Sequence, residues 1–180
     1  MRAPKTFRLH IGIFGKRNAG KSSILNALTH QEVSIVSDVA GTTTDPVEKP
    51  MELLPLGPVL FIDTAGIDDV GDLGGKRVNK TLAVFDRTDL GVIVTNFSDW
   101  GDYEMQVMGA FKIREIPFII VFNKIDKYSE NIDITSELDS LNIKYVFTSA
   151  TEGSGILELR QLLLQSAPAD FINRPSILAD

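Results

Sequence analysis

Residues 15–22 read GKRNAGKS, which fits G-x-x-x-x-G-K-[ST], a residue set suited to holding phosphate. FRLHIGIF (7–14) enters it as an apolar strand, and SSILNALT (22–29) leaves it as a helix. A glycine loop at that junction gathers backbone N–H groups in one concavity, with the positive end of the helix dipole aimed into it. Two adjoining phosphates fit there. Gly15, Asn18, Ala19, Gly20, Ser22 and Ser23 are the candidate cradle, Lys21 would reach the outer phosphates, and the Ser22 hydroxyl would ligate magnesium.

Other residues with suitable chemistry lie far along the chain. Asp63 opens the string DTAG (63–66) at the end of an apolar run; a carboxylate there can hold a magnesium-bound water, and the Gly66 N–H can meet a terminal phosphate. NKID (123–126) follows the strongest strand signal. Asp126 can accept two hydrogen bonds from guanine N1–H and its 2-amino group, a donor pair adenine lacks. Asn123 can tie the base edge to the loop, and the Lys124 stem can lie over the ring. Ser149 and Ala150, in TSAT, would add a backbone contact to the base. In GTTTD (41–45), a threonine can close over the terminal phosphate and give its hydroxyl to magnesium. Thr42, Thr43 and Thr44 leave that register open by one, and Thr43 is the assignment. Gly41 to Thr44, with Asp63, Thr64, Ala65 and Gly66, form the candidate switch loops.

Some residues carry weaker signals. The Asn18 amide oxygen either ligates a monovalent cation, potassium by size, or simply suits a tight turn. Ile67 cannot orient water, so intrinsic hydrolysis should be slow, and no catalytic group beyond Lys21 stands out. Asp68, Asp69 and Asp72 read as solvated loop residues, Lys16 and Arg17 as solvent-facing, and His10 and His30 as without a role.

The elements that must position these groups alternate along the chain. Strand patterns at 7–14, 51–56, 58–64, 89–97, 117–124 and 144–150 are separated by helical patterns at 22–29, 76–89, 100–115, 133–141 and 156–165. The second and third strands read as a hairpin about Gly57 and Pro58. The expectation is an α/β fold: a mostly parallel six-stranded sheet with one antiparallel strand and helices on both faces. Ligands bind such sheets at the carboxyl ends of the strands, where each of these motifs falls. The polar stretch 30–50 is too long for a plain connector and reads as functional.

Composition narrows the classes. The 180 residues suit one domain with a full core. A net charge of −6 argues against a broad nucleic-acid or acidic-membrane surface. There are no cysteines, so this polypeptide has no thiolate metal site or iron–sulfur ligand set of that kind. No apolar run approaches the roughly 18–20 residues of a membrane span, and a cytoplasmic location is the expectation.

Taken together, GKRNAGKS, GTTTD, DTAG, NKID and TSA resemble the motif set of the small P-loop GTPases, and the phosphate-loop Asn and hydrophobic Ile67 are similar to the bacterial branch of tRNA-modifying and ribosome-assembly GTPases. Within it, VAGTTTDPVEKPMELLPLGPVLFIDTAGIDD and LGGKRVNKT resemble the GTPase domain of the HydF family, the maturation factors of iron–iron hydrogenases. The resemblance implies the P-loop GTPase fold, a GTP/GDP ligand with Mg2+ and K+, and a switch that controls handling of a di-iron precursor. It also implies radical-SAM hydrogenase maturases and the hydrogenase as partners, with dimerisation and cluster binding in downstream domains. Residues 1–167 would then be the GTP-binding domain and 168–180, with Pro168 and Pro175, a linker-like tail. Two other readings stand beside it: the G domain of a GTPase acting on RNA or ribosomes, and an interaction module that binds GTP with negligible turnover.

Overall fold

A computed structural model describes residues 8–29, 47–64 and 75–172. Within them the elements run β1 (Leu9–Phe14), α1 (Lys21–Thr29), β2 (Val47–Leu53), β3 (Gly57–Asp63), α2 (Gly75–Arg87), β4 (Leu90–Thr95), α3 (Asp102–Ile113), β5 (Phe118–Phe122), α4 (Ile132–Ser140), β6 (Tyr145–Phe147), α5 (Ile156–Ser166) and α6 (Ala169–Ile172). The six strands form one sheet in the order β2-β3-β1-β4-β5-β6, parallel except for the antiparallel β2–β3 pair. The expected sheet, with its single antiparallel strand, is the one observed.

The hairpin differs in detail from its sequence reading. β2 begins at Val47, inside the stretch read as loop, because its backbone pairs with β3 from Val47↔Asp63 to Leu53↔Gly57. The turn is residues 54–56, and Gly57 and Pro58 belong to β3. Among the described residues β2 is an edge strand, a place where Pro50 is tolerated. Pro58 precedes the β1–β3 ladder, which starts at Leu9↔Val59. At the far end, α6 falls within the stretch read as tail, and Phe171 packs against the core.

Alternating side chains of the central strands feed two cores. On one face Ile11, Ile13, Val92, Val94, Ile119 and Val121 meet Ile24, Leu25 and Leu28 of α1 and Leu159 and Leu163 of α5. The opposite face is aromatic, with Phe14 of β1 and Phe122 of β5 in one cluster with Phe85 of α2, Phe111 of α3 and Leu138 of α4. Each fully buried side chain of this kind contributes about 1.5–3 kcal/mol relative to exposure, so the two cores hold the strands that carry the site. Glycine makes the aromatic face possible. Gly12 and Gly91 are register partners on β1 and β4, and a Cβ on Gly91 would lie 2.3 Å from the Phe111 ring. Phe111 takes the space that Gly91 leaves and stands edge-on to the Phe14–Phe85 stack, whose centroids are 4.4 Å apart. Among the described residues no helix is long and apolar enough to cross a membrane.

Candidate nucleotide site

The described motifs converge at the carboxyl ends of β1, β3, β5 and β6. β1 runs straight into the loop 15–20, and α1 starts at Lys21. The loop can make so tight a turn because Asn18 (φ 65°) and Gly20 (φ 100°) both take left-handed backbone, and Ala19 N donates to Lys16 O at 3.1 Å. Gly20 also has no room for a side chain, since a Cβ there would sit 2.2 Å from Asn123 Nδ2. Lys21 is 7% exposed, and its ammonium donates to Gly15 O across the loop. Ala19 is buried, Ser22 half-buried, and Arg17, Asn18 and Ser23 exposed. The left-handed φ of Asn18 gives that residue a turn role in its own right.

Asn123 joins this loop to the other end of the sheet. It is 3% exposed and follows β5 directly. Its Nδ2 donates to Ala19 O at 3.1 Å, while its Oδ1 accepts from Thr148 Oγ1 and Ala150 N, both at 3.1 Å. The Lys124 ammonium donates to Asn18 O, and Lys124 itself has φ 62°. Asp126 is exposed at the mouth, and its Oδ1 accepts from the buried Ser149 hydroxyl at 2.8 Å. Asn123, Lys124, Asp126, Ser149 and Ala150 are thus one cluster, tied to the phosphate loop through its backbone. A carboxylate so oriented by a hydroxyl, at the open end of a cluster rich in N–H donors, is suited to pair with two adjacent N–H donors of a flat heterocycle.

Asp63 ends β3 beside Ile13 in the parallel ladder and is 3% exposed. Thr64 is pinned there as well, its N–H and hydroxyl both reaching Ile13 O at 3.2 and 2.8 Å. A hydroxyl (Ser22) and a carboxylate (Asp63) are the hard oxygen donors that magnesium takes; the residues present fit that ion. Gly41, Thr42, Thr43, Thr44, Ala65, Gly66, Ile67, Asp68, Asp69, Asp72 and His30 lie outside the described residues.

One sequence reading is refined. Arg17 is exposed, and Lys16 keeps 30% of its side chain exposed yet has a fixed partner. Its ammonium lies 3.3 Å from Glu104 Oε2 and donates to Asp99 O. A lysine stem can cross apolar surface to reach such a partner, which charge patterning along the sequence does not register. Two further residues escape a motif search. Thr148 is fully buried against Asn123, and only its place before Ser149 hints at this. Glu104 is fully buried, and its signal is a glutamate three residues after Gly101, the spacing of a capping box.

Comparison with known proteins agrees with this geometry. The profile of the 50S ribosome-binding GTPases matches residues 10–124, from β1 through Lys124. The chain belongs to that family. It is 35% identical over 164 residues to GTPase Der of Kosmotoga olearia, covering 84% of this chain and 37% of that protein. To the tRNA modification GTPase MnmE of Flavobacterium johnsoniae it is 34% identical over 164 residues, 86% of this chain and 34% of the other. Among solved structures, an Era variant from Aquifex aeolicus bound to GDP and aluminium fluoride superposes with a TM-score of 0.69 at 28% identity, over 88% of this chain and 56% of that one. The chain spans little more than a third of the length of these curated relatives. It is a GTP-binding GTPase domain related to Der, MnmE and Era, with the α/β P-loop GTPase fold.

Proposed function

We propose that this chain is a magnesium-dependent GTP-binding and GTP-hydrolysing switch. The observation that carries the reading is Asn123, whose amide bridges Ala19 of the phosphate loop and Ala150 of the TSA loop. One residue therefore fixes the distance between a phosphate cradle and a base-reading carboxylate. Lys21 and the backbone of Gly15, Asn18, Ala19, Gly20, Ser22 and Ser23 hold the phosphates. Asp126 and Ser149 select guanine, with Lys124 over the ring. Ser22 and Asp63 would hold magnesium together with Thr43, and the ion when bound would offset charge on the outer phosphate oxygens. Gly66 and the 41–44 stretch respond to the terminal phosphate. Hydrolysis is slow, because Ile67 supplies no side chain to orient water.

For the larger protein, the relatives support the G domain of a tRNA-modification or ribosome-assembly GTPase better than a part in hydrogenase maturation. The maturation reading, with its maturase partners and downstream dimerisation domain, rests on the resemblance of the TTTDPV…MEL…GPV run and LGGKRVNKT. A cysteine/histidine cluster in any coding sequence beyond Asp180 would favour it.

The test is turnover by the purified chain. GTP should be hydrolysed slowly with magnesium and not with chelator, and ATP should not be hydrolysed in either. Equal turnover of ATP and GTP would overturn the reading.

A further inference from the structure

The phosphate loop is held from a side that no nucleotide motif accounts for. Lys16, its second residue, turns away from the cradle toward the start of α3. There its ammonium meets Glu104 Oε2 at 3.3 Å and donates to Asp99 O. The Glu104 side chain is wholly buried, and its remaining partners are Thr95 Oγ1 at 3.0 Å and Gly101 N at 2.9 Å. Thr95 ends β4, and its carbonyl accepts the N–H of Asn123 at 2.8 Å. Asn123 in turn holds Ala19 O. The loop is therefore gripped at Lys16 and at Ala19, and both grips trace back to the end of β4.

The pair is a poor device for stability alone. Burying the Glu104 carboxylate costs hydration that attraction to a partly exposed lysine seldom repays, and an apolar residue of the same volume would serve the core at least as well. What a carboxylate in this place does is fix where a lysine goes. Lys16 O closes the turn that carries Asn18 and Gly20 through the Ala19 N–H. Moving Lys16 therefore moves the N–H groups that face the cradle. We infer that Glu104 is a positioning residue: acting through Lys16, it sets the phosphate loop in the shape that receives the diphosphate of a guanine nucleotide. This inference rests on the nucleotide-binding reading above.

The experiment compares wild type with Lys16→Met, Glu104→Gln, the double variant and Lys16→Arg, measuring GDP affinity, GDP release and thermal melting. Each charge-removing single variant should bind GDP about tenfold more weakly, chiefly through faster release. The double variant should be no weaker than the weaker single one, because both remove one interaction. Lys16→Arg, whose guanidinium still reaches the carboxylate, should stay near wild type. If Glu104→Gln fails to fold, Lys16→Met, at a partly exposed loop position, carries the same expectation. Lower melting temperatures with unchanged GDP affinity, or additive losses in the double variant, would overturn the inference. Wild-type protein that does not bind GDP would overturn the nucleotide reading and this inference with it. Wild-type binding with unaffected Lys16 variants would overturn the inference alone.

Discussion

The two ends of the candidate site are built differently. Toward β5 and β6 the loops lock one another: Asn123 joins Ala19, Thr148 and Ala150, and Lys124 joins Asn18. Toward β3, Asp63 and Thr64 are placed by the ladder with β1 and by Thr64's hydrogen bonds to Ile13 O. Inter-loop contacts made through side-chain amides fix a recognition geometry before any ligand arrives, so little ordering remains to be done on binding. The base and inner-phosphate end is thus tied loop to loop, whereas the described part of the other end, Asp63 and Thr64, is placed by the sheet itself.

Perturbing each end should give effects of very different size. Lys21 serves both ends and is buried at the start of α1. Lys21→Met removes charge-assisted hydrogen bonds to phosphate worth about 1.5–3 kcal/mol each, so GTP and GDP affinity should fall about a hundredfold in a titration, with thermal melting little changed. Comparable affinity in the variant would break the account of the phosphate loop. The smallest effect belongs to Asn18. We propose that its oxygen, beside its turn role, ligates potassium; hydrolysis should then run a few-fold faster in potassium than in sodium at equal ionic strength, and Asn18→Ala should erase the difference while largely sparing GDP binding. Identical rates in the two salts would leave Asn18 as a turn residue.

The readable parts of the sequence were those in which local chemistry and local geometry coincide. GKRNAGKS demands a left-handed turn and supplies Asn18 and Gly20 to make it. The all-buried LGVIVT of β4 reads as a central strand because no polar residue interrupts it before Thr95. What could not be read depends on pairing at a distance. β2 starts at Val47 only because β3 offers it a partner as far as Asp63. Lys16 and Arg17 are adjacent and alike in type, yet 88 residues of chain (16 to 104) separate Lys16 from the carboxylate that sets it apart. Gly12 and Gly91 look like weak spots in strands until Thr88 is found where a Gly12 Cβ would stand and Phe111 where a Gly91 Cβ would stand.

The central claim is that the locked end reads guanine through Asp126, and one variant tests it most directly. Asp126→Asn keeps the size of the side chain and the Ser149 contact within reach, but replaces an acceptor with a donor. Leaving a buried donor or acceptor unpaired costs about 1–3 kcal/mol, so calorimetric titration should show GDP affinity lowered at least about tenfold. Xanthosine diphosphate, whose 2-oxo group accepts from the new amide, should gain affinity in the same variant. GDP binding that is unchanged by the substitution, with no gain for xanthosine diphosphate, would contradict the account.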